Sequence, residues 1–88
     1  MPRFELKWKR QAQRDLRSLG KTEADRIRWA LESKLAADPH SGEPLRGPGR
    51  PMWRFRVGDY RVLYVFNDEE VWILVLRVAH RSTAYRDL

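Results

Sequence analysis

Apolar and polar positions alternate near the start of the chain, fall into a helical period, and then alternate again to the end. "RFELKW" (3–8) sets Phe4, Leu6 and Trp8 against Arg3, Glu5 and Lys7, the two-residue period of a half-buried strand. From Lys9 the period lengthens. Ala12, Leu16 and Leu19 share one helical face, and Gly20 follows as a stop. "KTEAD" (21–25) opens a second helix, with Thr22 as the expected N-cap and Glu23 and Asp25 in the first turn. Ile27, Leu31 and Leu35 form its core stripe, and Asp38-Pro39 ends it. Two short helices joined by a tight turn make a helical hairpin. Trp29 falls about 200° round from Ile27 at 100° per residue, off the stripe. Such a ring either contacts a partner or lies flat on its own sheet or loop.

"DPHSGEPLRGPGRP" (38–51) concentrates proline and glycine and is expected to be a loop. It separates a helical from a sheet half, but neither half could bury a core alone, so residues 1–88 are expected to form one domain. Three strands then follow. Over 53–57, Trp53, Phe55 and Val57 face one way and Arg54 and Arg56 the other, and Gly58-Asp59 makes a hairpin turn. Tyr60, Val62, Tyr64 and Phe66 alternate with Arg61, Leu63 and Val65, so both faces are largely apolar and the strand is central. "NDEE" (67–70) turns again into "VWILVLRVAH" (71–80), and "RSTAYRDL" closes the chain as a short turn or helical segment. The order is β-α-α-β-β-β: an α+β fold with a mostly antiparallel sheet and the helices packed on one face.

Composition narrows the classes. The charge is +6 over 88 residues, which favours an anionic partner such as nucleic acid or an acidic protein. No cysteine is present, which excludes disulfides and thiolate metal sites; His40 and His80 are too few and too far apart for a metal motif, so neither metal nor cofactor is expected. "VWILVL" is too short to span a membrane, and "MPRFELKWKR" lacks the apolar core of a signal peptide, so no membrane association and a cytoplasmic location are expected.

The cations are unevenly placed. All four lysines lie at or before Lys34, and beyond it Arg46, Arg50, Arg54, Arg56, Arg61, Arg77, Arg81 and Arg86 are arginine. Arginine's planar fork grips phosphate in a bidentate manner and stacks on bases. One cluster is Arg54, Arg56 and Arg61; a second is Arg77, His80, Arg81, Tyr85 and Arg86. A three-strand meander sets the end of its third strand beside the start of its second, which is expected to bring Arg81 and Tyr85 close to Arg61. A lone arginine is most often a solvated charge. Arg61 differs because it shares a face with Leu63 and Val65, where an unpaired charge is costly.

The run "WRFRVGDYRVLY", followed by "ILVLRVAHRSTAYR" after a helical hairpin and a "DP…EPLRG" loop, resembles the RelE/ParE toxin superfamily, and most closely the RelE-type toxins of type II toxin–antitoxin modules. The resemblance covers essentially the whole chain. It implies a ribosome-dependent endoribonuclease that cleaves mRNA in the A site: a ribose 2′-OH attacks the adjacent phosphate, leaving a 2′,3′-cyclic phosphate and a free 5′-OH. It also implies a cognate antitoxin partner and a hetero-oligomer with it. By position Arg54 and Arg56 match the family's basic strand pair, Arg61 the arginine of its conserved motif, Arg81 the arginine after the last strand, and Tyr85 the C-terminal tyrosine. Arg77, with Arg54 and Arg56, is expected to bind substrate. The family's best-known members carry lysine where Arg54 and Arg56 stand. Arginine stays protonated and supplies no base, so Tyr85, with the family precedent, or His80, with the more suitable ordinary pKa, is the expected base. The same departure keeps open a ParE-like reading: a DNA gyrase poison without nuclease activity. A small basic RNA-binding protein without catalysis is a third.

Overall fold

A computed structural model describes residues 3–45 and 51–82. Strand β1 (Glu5–Trp8) leads into α1 (Arg10–Leu19) and α2 (Lys21–Ala30), and β2 (Glu43–Leu45), β3 (Met52–Val57), β4 (Tyr60–Asn67) and β5 (Trp72–His80) follow. The sheet is five-stranded in the order β1-β5-β4-β3-β2. Every pairing is antiparallel except that of β1 with β5, which is parallel. This is the α+β architecture the patterning predicts, with one strand more.

The helical boundary differs in detail from the expectation. Gly20 sits at φ 88°, ψ 164° and ends one helix while starting the next: its N–H reaches the Arg17 carbonyl, and its own carbonyl receives the Ala24 N–H at 3.0 Å. Thr22 therefore lies inside the first turn and is not the cap. Beyond Ala30 the helix widens into a π turn over Leu31–Leu35, closed by Ala36 N–H to the Leu31 carbonyl at 2.8 Å, and both leucines stay fully buried. Ala12, Leu16, Ile27, Leu31 and Leu35 pack on Val62, Tyr64, Ile73, Val75 and Val78 of the sheet.

The extra strand is β2, inside the segment expected to be wholly loop. A short 3-10 turn, Pro39–Ser41, precedes it, held by the Asp38 carboxylate accepting the His40 N–H at 3.0 Å. Gly42 then brings the chain against β3. A side chain there would meet the Tyr64 hydroxyl and lie 2.6 Å from the Arg54 carbonyl. Tyr64, fully buried, donates to the Pro39 carbonyl at 2.6 Å, and burial pushes its phenol up to about 12. Pro44 is tolerated because β2 is an edge strand. Among the described residues, no helix is long and apolar enough to cross a membrane.

Candidate anion-binding site on the open sheet face

The helices cover one face of the sheet, and the other gathers the arginines. In β3, Trp53, Phe55 and Val57 pack toward the helices, which turns Arg54 and Arg56 outward. Cross-strand register places Arg54 opposite Leu63 and Arg56 opposite Arg61. On the far side of β4, Arg61 faces Ala79 and Leu63 faces Arg77. Like charges directly opposite each other ordinarily destabilise a sheet; the Arg56–Arg61 pair is therefore a local cost.

The cations differ in how they are neutralised. Arg54 Nη2 lies 3.1 Å from Glu43 Oε2 and Arg56 Nε 3.7 Å from Glu43 Oε1, so one carboxylate on β2 serves both. Arg54 is mostly buried, and its Nε has no hydrogen-bond partner among the described residues. Arg77 is held tightly: its Nε donates to Asp15 Oδ2 at 2.9 Å, and Asp15 also accepts the Val78 N–H at 2.9 Å. Burial raises the Asp15 pKa, but hydrogen bonds from Arg77, the Val78 N–H and Gln11 outweigh it and hold the carboxyl below its ordinary 3.8. Arg61 is half-buried and has no carboxylate partner among the described residues. Its Nη1 reaches only the Tyr60 and Gly58 carbonyls, at 3.3 and 3.5 Å.

The meander does join the two ends. The Arg81 N–H donates to the Asp59 carbonyl at 2.7 Å, and its exposed guanidinium stands 3.8 Å from the Asp59 carboxylate, at the start of β4. His80 goes elsewhere. It stands opposite Tyr60 and meets that ring edge-on at 5.5 Å, on the helix side of the sheet, whereas Arg61 points to the open side. Its Nδ1 accepts the Ser82 N–H at 3.2 Å and lies 2.8 Å from Ser82 Oγ, so that lone pair is engaged. The structure thus brings Arg54, Arg56 and Arg61 onto one face with Arg77 beside them and Arg81 at the end, and does not bring His80 to it. Tyr85 and Arg86 lie outside the described residues, as do Arg46 and Arg50. Asp15 was not among the sequence-predicted site residues, and nothing local in "RQAQRDLRSL" marks it.

A helical hairpin on one face of a five-stranded sheet, with arginines gathered on the other, makes a small α+β domain whose kind is given by comparison with known proteins. The family model for the ParE toxin of type II toxin–antitoxin systems matches residues 6–85, and the chain belongs to that family. Its sequence is 34% identical to Toxin RelE of Mycobacterium tuberculosis over 76 residues, covering 85% of this chain and 78% of that protein. In structure it is similar to a chain of the RelBE2 toxin–antitoxin complex of Mycobacterium tuberculosis, at TM-score 0.86 and 30% identity, over 93% of this chain and 95% of that one. It is also similar to a chain of the archaeal RelE–RelB complex of Pyrococcus horikoshii, at TM-score 0.67 and 30% identity, over 96% and 100%. The protein is a RelE-like toxin of a type II toxin–antitoxin system.

Proposed function

We propose that this toxin is a metal-independent endoribonuclease that cleaves mRNA in the ribosomal A site, in the cytoplasm, and that a cognate antitoxin neutralises it by forming a hetero-oligomer with it. One observation carries the proposal: Arg61 is half-buried, without a carboxylate partner among the described residues, and faces a second arginine across the strand pair. A group placed so gains most when an anion arrives between the two charges. A scissile phosphate supplies that anion, and the pentavalent arrangement formed on 2′-OH attack carries more negative charge than the ground state, so Arg61 would stabilise it selectively.

The other roles follow from position. Arg54 and Arg56 share Glu43 and would exchange it for flanking phosphates. Arg81, weakly held by Asp59, would neutralise charge on the departing 5′ oxygen. The proton of the 2′-OH must pass to a base, and no arginine can take it. Tyr85 is the group we assign to it, because His80 is turned to the other face and its Nδ1 is occupied. Arg77, committed to Asp15, would act by holding the β5 end of the face in place.

The test is codon-resolved cleavage of mRNA on purified translating ribosomes. Cleavage by the wild type, lost in both Arg61→Ala and Arg81→Ala, supports the proposal; intact mRNA alongside full growth arrest overturns it. That second result belongs to the alternative, a gyrase poison, which the ParE family match and the arginines at the family's lysine positions favour. Filamentation and a DNA-damage response would then replace immediate loss of protein synthesis.

A further inference from the structure

Two tryptophans on the helical side of the molecule are held differently. Trp29 is 64% exposed and borders a groove between α2 and the end of β3. Trp8, the last residue of β1, is half-buried against the core and forms one wall of a cleft of about 280 Å³ on the helical hairpin. Buried Leu16 adds an apolar contact there, and Gln13, Arg17 and Arg28 complete the lining. Gln13 and Arg17 stand one turn apart on α1, and Arg28 comes from α2, so two guanidinium groups from different helices border one space. Among the described residues no carboxylate lines it.

The polar groups of this cleft have bonding capacity to spare. Arg17 meets no carboxylate among the described residues. Arg28 lies 3.5 Å from Asp25, but Lys21 holds that carboxylate closer, at 2.7 Å, and its hydrogen bond is the main cause of the lowered Asp25 pKa. Gln13 gives one long hydrogen bond to the Trp8 carbonyl, at 3.4 Å, which leaves its Oε1 and a second N–H uncommitted. The Trp8 indole N–H has no partner among the described residues.

Each of these groups suits a different part of one ligand. Guanidinium pairs grip phosphate oxygens, an indole packs on a base, and a glutamine amide pairs with the N6 and N7 edge of adenine. Ordinary ligand pockets span about 300–1,000 Å³, so a cleft of this size takes one nucleotide and no more. The geometry points to a binding site for a single nucleotide, with its phosphate between Arg17 and Arg28, its base against Trp8, and Gln13 on the base edge. The site is separate from the proposed cleavage, because Arg54, Arg56 and Arg61 lie on the other face of the sheet. The nucleotide has two possible sources: a free nucleoside monophosphate, or an unpaired nucleotide of a folded RNA. An acidic peptide also meets two arginines, but its carboxylates make no use of Trp8 or Gln13.

The test follows the indole N–H resonances of the full chain by two-dimensional NMR, the Trp8 signal being the one that disappears in Trp8→Phe. The probes are adenosine 5′-monophosphate, a hairpin RNA with one unpaired adenosine in its stem, and the same hairpin fully paired. The monophosphate is expected to shift the Trp8 signal saturably, and Arg17→Ala and Arg28→Ala each to weaken that binding at least tenfold. Arg14→Ala removes the same charge from the exposed side of α1 outside the cleft and is expected to leave it unchanged. A response to the monophosphate alone assigns the site to a free nucleotide; tighter binding of the RNA with the unpaired adenosine than of its paired counterpart assigns it to RNA. No Trp8 response to either the monophosphate or the RNA with the unpaired adenosine overturns the inference. So does a loss in Arg14→Ala as large as in Arg17→Ala, which makes the effect one of diffuse charge, and so does an equal Trp8 response to a hexaglutamate peptide.

Discussion

Two buried or half-buried side chains make opposite bargains with their surroundings. No carboxylate meets Arg61 among the described residues, so its removal relieves a repulsion with Arg56 as it removes the central cation of the open face. Arg61→Ala is therefore expected to abolish growth arrest on induction and to lower the cleavage rate by roughly 10²-fold or more, while its melting temperature stays within a few degrees of wild type by calorimetry. Tyr64 is the contrary case, wholly structural. Tyr64→Phe strips the Pro39 carbonyl of its donor and should cost about 1–2 kcal/mol. Because the folded phenol is raised from 10.0 to about 12, its contribution is complete below pH 10 and is lost as the pH rises toward 12. Urea melts between those values should show an alkaline loss in the wild type that the phenylalanine variant lacks. The special burial of Arg61 was legible from its strand, apolar on both faces. Asp15 was not, because its partner Arg77 is 62 residues away and its own helix gives no sign of it.

Elements with a strong period are legible in the sequence; β2 and the phase of the end of β5 are not. The core stripes of both helices and the alternation in β3 and β4 predicted which faces are buried, and Ala12, Leu16, Ile27, Leu31 and Leu35 are indeed inside. Strand β2 escaped because three residues including a proline carry no period at all. In β5 the difficulty was phase. "VWILVLRVAH" is apolar almost throughout, and a bulge leaves Leu76 without a partner between Val75, opposite Tyr64, and Arg77, opposite Leu63. That single extra residue reverses the faces beyond it, sending Arg77 to the open side and His80 to the helix side. Past the end of β1 the edge of β5 is closed by Asp15, which accepts the Val78 N–H and pairs with Arg77. Asp15→Asn should cost about 2 kcal/mol at neutral pH. The carboxyl's folded pKa is depressed, so its contribution is present above 3.8 and lost as the pH falls below it. Acid unfolding followed by circular dichroism should accordingly be less steep in the asparagine variant.

Across the whole molecule, +6 of charge is arranged with different chemistry on the two sides of one sheet. The open face offers arginines on rigid strands, two of them opposite each other; the helix side offers Trp29, Arg26 and Lys34 around a groove beside the end of β3. Surfaces of such different chemistry can serve two occupants without the two sharing every contact. Arg56 alone belongs to both, since its side chain lies with the arginine face and also lines the Trp29 groove. Salt dependence separates the surfaces quantitatively. Each phosphate neutralised on a single strand contributes about 0.7 to the slope of log K against log salt. Affinity for a short single-stranded RNA, titrated across salt concentration, should lose about 0.7 of that slope in Arg61→Ala and again in Arg54→Ala. Trp29→Ala should leave the slope where it was. A slope that drops equally for Lys21→Ala would mean that RNA is held by diffuse charge over the whole surface. The open face would then have no special claim on phosphate, whatever its register.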